Sequence, residues 1–190
     1  MNPIARRTFL RLVGSAFLVI AHVRVGNAKH LGAVSSIPKG QILYTRFSLF
    51  YEELRHRTTN YRKGVLVPIN TEVQFVKARG DDITVKLPSG EELKIENVAP
   101  FSGETTDGIF ARTFSTEKTD LAHFTTEERE AIMNGQAKPG MRKSAVIAAL
   151  GYPPKHKTPS LDSAAWRYWI NRFATFVVQF DGDKVASVKH

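Results

Sequence analysis

Gly140-Met141-Arg142-Lys143-Ser144-Ala145-Val146 leads through an apolar stretch to Leu150-Gly151-Tyr152-Pro153, then to Trp166-Arg167-Tyr168 and Phe180-Asp181-Gly182-Asp183-Lys184-Val185. Val146, Ala149 and Leu150 fall at helical spacing from Met141. Gly151 ends that helix, and Pro153 and Pro154 forbid continuation because proline lacks the amide hydrogen and clashes with the preceding turn. Downstream the apolar period changes to two. Trp166, Tyr168 and Ile170 share one face of a strand over 165–170, and Phe176, Val178 and Phe180 share one face of another over 175–180. Asp181-Gly182 has the composition of a type I′ turn, leading into a third strand over 184–188.

Upstream of this run, Thr125 followed three residues later by Glu128 fits a capping box. Glu127 and Glu128 also suit the positive end of a helix dipole, and Gly135 offers a left-handed stop. The order over 125–190 is therefore helix, helix, strand, strand, strand. Two short helices on one face of a three-stranded antiparallel sheet bury Val146, Leu150, Trp166, Tyr168, Phe176 and Phe180 together.

Residues 41–100 carry a different rhythm. A first strand with β-branched Ile42 and Thr45 runs over 41–47, and Val73 and Phe75 alternate with Glu72 and Gln74 over 72–78. Ile83, Val85 and Leu87 alternate over 82–87, and Leu93 and Ile95 share a face over 91–98. Arg79-Gly80-Asp81-Asp82 and Pro88-Ser89-Gly90 are turns. Strands this short and this regularly spaced predict a small antiparallel β-barrel. Residues 29–40 read as a linker and 101–124 as a connector, so the whole is an α+β chain of two small modules.

Two resemblances follow from these residues. The Leu43-Tyr44-Thr45 opening strand, the long excursion over 48–64, the Val67 to Val73 entry and the Gly80 and Gly90 turns resemble bacterial Src-homology-3-like small barrels. Gly140-Met141, Val146, Leu150-Gly151-Tyr152-Pro153, Trp166-Arg167-Tyr168 and Phe180 through Val185, five elements in order, make the segment over 125–190 similar to the BamE (SmpA/OmlA-like) domain. That resemblance implies a protein-binding scaffold, and for the family's lipid-anchored members a role in outer-membrane protein assembly.

The first 28 residues look like a cleaved export signal: Arg6, Arg7 and Arg11 precede an apolar stretch from about Leu12 to Ala21, and small Gly26 and Ala28 precede a plausible cut. Arg6-Arg7-Thr8-Phe9-Leu10 is compatible with the twin-arginine route and with an ordinary secretory signal. The apolar stretch falls short of the roughly 20 residues that span a bilayer. Four of the 27 basic residues lie in this segment, so the formal charge of +9 drops to about +5 without it. That balance favours anionic partners such as acidic proteins, acidic glycans or lipid headgroups, and argues weakly for nucleic acid. Cysteine is absent. Disulfides, thiolate metal sites and a cysteine-linked lipid anchor are thereby excluded, and the expected location is the periplasm, without a lipid tether.

No motif for chemistry stands out. His30, His56, His123, His156 and His190 are scattered, no G-x-S-x-G elbow, phosphate loop or dinucleotide fingerprint occurs, and the acids of Asp81-Asp82 and Asp181-Gly182-Asp183 are explained by turn formation. The expectation is a non-enzymatic binding protein, with no cofactor or metal, acting on envelope proteins. A cell-wall or glycan-binding module is the alternative, and an unrecognised hydrolase a remote one. Two surfaces are candidates. One is the long barrel loop, where Tyr51, Arg55, Arg57, Tyr61 and Arg62 interleave aromatic and basic side chains; solvated charges over locally packed tyrosines are the other reading. The second is the outer face of the strand over 165–170, where alternation sends Arg167 and Trp169 away from the core. There Trp169 is either an exposed interface anchor or is covered by the connector or the other module.

Overall fold

The computed structural model describes residues 32–59 and 62–190. The expected export signal, His30 and Tyr61 lie outside the described residues.

The N-terminal module is built on a six-stranded sheet. Its strands are β1 (Ile42–Thr45), β3 (Arg55–Arg57), β5 (Glu72–Arg79), β6 (Asp82–Lys86), β7 (Glu92–Glu96) and β8 (Phe114–Ser115), in the order β3-β7-β6-β5-β1-β8. A separate ribbon pairs β2 (Leu49–Tyr51) with β4 (Val65–Val67). The expected alternation holds in the middle of the sheet, where Leu43, Val73, Phe75, Ile83, Val85, Leu93 and Ile95 are all buried.

The closed antiparallel barrel does not form. The sheet is a mixed half-barrel, because β3 runs parallel to β7 with His56 opposite Ile95. Alternation identifies strands but not their partners, and Arg55-His56-Arg57 reads as loop. Only its central residue is buried. A tight turn places β3 there, with Glu53 and Leu54 both left-handed (φ 49° and 56°), a conformation that no glycine announces in the sequence.

The open side of the half-barrel is closed by the segment expected to be a connector. Val98 leads into α1 (Ala99–Ser102), and Thr105 caps α2 (Thr106–Thr113) by accepting from the Gly108 amide. Ile109 and Phe110 of α2 and Phe114 enter the half-barrel core, with Phe110 packed edge-on against Phe75 at 5.9 Å between centroids. The described part of the expected linker also packs here: Val34 is buried, and its amide donates to Asp107 at 2.7 Å.

The C-terminal unit matches the reading of its sequence closely. Helices α3 (Thr126–Met133) and α4 (Lys143–Leu150) cover one face of a sheet ordered β11-β10-β9, from β9 (Ala165–Trp169), β10 (Thr175–Asp181) and β11 (Lys184–Lys189). All six expected core residues are buried in one cluster. The Thr125/Glu128 capping box is present.

The two modules share a packed boundary. The Ser48 amide donates to the Ala148 carbonyl at 3.0 Å, and the buried Ser48 hydroxyl donates to the Ile132 carbonyl at 2.6 Å while accepting from the Ile69 amide. Ile69 itself belongs to the C-terminal core. Gly151, read from sequence as a helix stop, has a second constraint: a Cβ there would lie 2.8 Å from the Phe47 ring. The segment 151–154 is thereby pressed against the mouth of the half-barrel.

Candidate functional site: a basic sheet face and its hairpin tip

On the side of the C-terminal sheet away from α3 and α4, Val177 of β10 pairs with Arg167 of β9 and Lys189 of β11. Paired residues point to the same side of a sheet, so a half-buried valine is flanked by two exposed cations. Arg167 is held by a 3.0 Å hydrogen bond from Nη1 to the Thr175 hydroxyl. Residues 163–180 contain no Asp or Glu. Among the described residues, no carboxylate pairs with Arg167, Arg172 or Lys189.

The hairpin joining β9 to β10 stands at the end of these strands. Asn171 Oδ1 accepts from the amides of Phe173 (2.8 Å) and Ala174 (3.0 Å), and the Ile170 amide donates to the Ala174 carbonyl. This Asx turn fixes the backbone and leaves Phe173 82% exposed, with the Arg172 guanidinium 4.5 Å from its ring centroid. Sequence reading passed over Phe173. The available signal was Asn171 in a turn position followed by an aromatic outside both strand periods.

Trp169 is not the exposed anchor. It is half-buried against the C-terminal core, with its indole Nε1 fully enclosed. His156 stacks near its ring (6.2 Å, 16° between planes), and Phe101 of α1 packs on the other partner of that stack, 4.8 Å from His156. His156 Nδ1 donates to the Phe101 carbonyl at 3.2 Å. The 155–158 segment folds back along edge strand β9, where the Thr158 hydroxyl accepts from the Arg167 amide. The cover on Trp169 is His156, from a loop of its own module, with Phe101 of the expected connector one layer further out.

The long-loop residues are dispersed. Tyr51 is half-buried against the half-barrel core. Arg55 and Arg57 project from edge strand β3 and share Glu96, each at 3.3 Å, as exposed pairs worth less than about 1 kcal/mol each. Arg62 crosses to the other module, its guanidinium 5.1 Å from the Phe176 ring centroid. These side chains do not form one surface with Arg167.

At the module boundary, a cavity of about 40 Å³ is lined by His56, Thr58, Arg112, Tyr152, Pro153 and Pro154, among others. That is room for about one water. His56 is 5% exposed, and burial pushes its pKa down to about 4 against the opposing effect of its bond to the Phe50 carbonyl. Because a carbonyl only accepts, Nδ1 carries the hydrogen, donating at 2.7 Å, and Nε2 is the bare nitrogen. Of the nearby hydroxyls, Ser102 donates to Asn97 Oδ1 and is not positioned as a nucleophile beside this imidazole. Among the described residues no three His, Asp or Glu side chains gather as a metal site, and no helix is long and apolar enough to cross a membrane.

Comparison with known proteins finds no matching family model, no matching curated protein and no matching solved structure. The fold and this surface define the chain as an α+β protein presenting an open, basic sheet face.

Proposed function

We propose that this chain is a non-enzymatic binding protein of the bacterial envelope, working in the periplasm, and that its C-terminal sheet face receives an acidic protein partner. The observation that carries this reading is the pairing of an exposed aromatic tip with cations that no described carboxylate pairs: Phe173 stands 82% exposed beside Arg172, and Arg167 and Lys189 flank Val177. An aromatic anchor supplies buried area at low entropic cost, and like-signed surrounding charges select partners of opposite sign and speed encounter. The resemblance of 125–190 to BamE-like domains supports a scaffold role, and the resemblance of the half-barrel to Src-homology-3-like barrels is compatible with it. The long-loop residues lend a glycan-binding role less support, since Tyr51 is packed inward and Arg55 and Arg57 are paired with Glu96.

The test is photo-crosslinking in an envelope extract, with a benzophenone amino acid at position 173 and, as a control, at Ser89 on the far β6–β7 turn. A discrete acidic protein adduct from position 173 is expected, lost in Arg167→Glu/Lys189→Glu and retained in Arg55→Ala/Arg57→Ala. Equal adducts from both positions, or an adduct indifferent to the charge reversal, would refute the assignment. Sedimentation with insoluble peptidoglycan that survives the charge reversal would favour the glycan-binding alternative.

A further inference from the structure

Strand β9 pairs with β10 on one side and with no strand on the other. The Phe180 amide donates to the Ala164 carbonyl and the Ile170 amide to the Ala174 carbonyl, so the even-numbered residues over 164–170 turn their backbone toward β10. By the period of two, Ala165, Arg167 and Trp169 turn theirs outward, each with one amide and one carbonyl. The Arg167 amide donates to the Thr158 hydroxyl at 3.0 Å. Among the described residues, the other outward groups of these three make no hydrogen bond. The far edge of the sheet is closed differently, because Val185 of β11 gives its amide to the Met141 carbonyl and takes the Gly140 amide on its own carbonyl.

The loop over 155–163 lies along the β9 edge, and the Thr158 hydroxyl alone occupies a backbone position of the strand. The loop's remaining hydrogen bonds leave β9 untouched. The Lys157 and Thr158 amides donate to the Pro154 carbonyl, His156 Nδ1 to the Phe101 carbonyl, and Lys143 Nζ to the Leu161 and Ser163 carbonyls. The border is basic: Lys155, Lys157, Arg167 and Arg172 are exposed, no described carboxylate pairs with them, and Asp162 is the one acid over 155–180. Two occupants carry the wrong sign. Antiparallel pairing of two copies about Arg167 opposes like charges directly. The chain's own residues 1–31 hold Arg6, Arg7, Arg11, Arg24 and Lys29 but no Asp or Glu.

We propose that β9 receives an extended acidic segment of the partner protein as a fourth strand, which takes the Arg167 amide from the Thr158 hydroxyl and sets a carboxylate opposite the Arg167 side chain. This rests on the reading of the C-terminal unit as the receiver of an acidic protein, and adds how that protein is held. Main-chain bonds to the outward groups of 165, 167 and 169 supply affinity, and the side chain facing Arg167 supplies selection. The edge is already ordered by its own sheet, so the incoming segment alone loses freedom.

The probe is a capped heptapeptide alternating glutamate with valine, titrated into the isotope-labelled full chain, with its lysine–valine counterpart as control. At saturation, amide exchange at Ala165 and Trp169 should slow at least roughly 10-fold, and the lysine peptide should leave it unchanged. Alternate amides of an added strand face the sheet, so N-methylation of either all glutamates or all valines should abolish binding while the other set keeps it within about threefold. Thr158→Val removes the group to be displaced and should tighten binding about 5-fold. Should that variant fold poorly, the N-methyl comparison on the wild-type protein decides. No saturable binding of the glutamate peptide up to about 1 mM, equal behaviour of the two N-methylated sets, or unchanged exchange at Ala165 and Trp169 would each overturn strand addition. Crosslinking from position 173 does not depend on strand pairing, so a charge-dependent adduct there beside a failed peptide sinks this inference and leaves the binding face standing.

Discussion

Glu128→Gln isolates the strongest electrostatic contact in the C-terminal unit. The Glu128 carboxylate is 5% exposed and accepts from the Thr125 amide (3.1 Å), the Arg142 amide (2.8 Å), and Arg142 Nε and Nη2, the last at 2.5 Å. Burial by itself pushes its carboxyl up. The hydrogen bonds from the Arg142 side chain and from the Arg142 and Thr125 amides, with the Arg142 charge, outweigh burial and hold the pKa at about 2 against an ordinary 4.5. The difference corresponds to about 3 kcal/mol of folding free energy at neutral pH. Because the folded pKa is the lower one, this stabilisation is complete above about pH 4.5 and is lost as pH falls toward 2. The substituted amide matches the carboxylate in shape but leaves the Arg142 charge without its partner, so a loss of about 3 kcal/mol is expected at pH 7. Urea denaturation followed by tryptophan fluorescence suits the measurement, since Trp166 and Trp169, the chain's two tryptophans, both lie in β9. The gap between wild type and variant should shrink to roughly half by pH 3. A loss below about 1 kcal/mol at pH 7, or a gap of the same size at pH 7 and pH 3, would refute this account of the ion pair.

Two further outcomes probe the module boundary. Gly151→Ala should cost about 2–4 kcal/mol, since position 151 has φ 75° and ψ −168° and its Cβ would meet the Phe47 ring; the cost should shrink in a Phe47→Leu background, and an unchanged cost there would show that backbone strain alone is responsible. Ser48→Ala should cost about 1–3 kcal/mol by leaving the buried Ile69 amide without an acceptor, measured by the shift in denaturation midpoint at constant slope; a neutral result would mean that water replaces the hydroxyl.

The C-terminal unit was legible because its signals are local. The capping box, the Gly151 stop, the alternation around Trp166 and Phe176 and the Asp181-Gly182 turn each fix a few consecutive residues, and those residues pack mostly with one another. The half-barrel was legible only in its central strands. β3 is three residues of basic sequence whose burial depends on a parallel partner some 40 positions later, and α2 enters the core through Ile109 and Phe110 from a segment with too short a period to announce itself. The binding face was half visible. Arg167 followed from alternation, whereas Trp169 was removed from it by His156 and Phe101, which no pairing rule links to β9.

By itself the chain's order of residues determined an α+β protein with two cores, the large aromatic side chains of the C-terminal core, and a basic balance without cysteine. Caps, turns and period are short-range steric and hydrogen-bonding effects, so they are written in neighbouring residues. Only the tertiary structure decided that the half-barrel stays open and mixed, that the 151–154 segment stops its mouth, and that Phe173 rather than Trp169 stands in solvent. Those outcomes depend on which distant surfaces exclude water from each other, a property of the packed chain as a whole and of no segment within it.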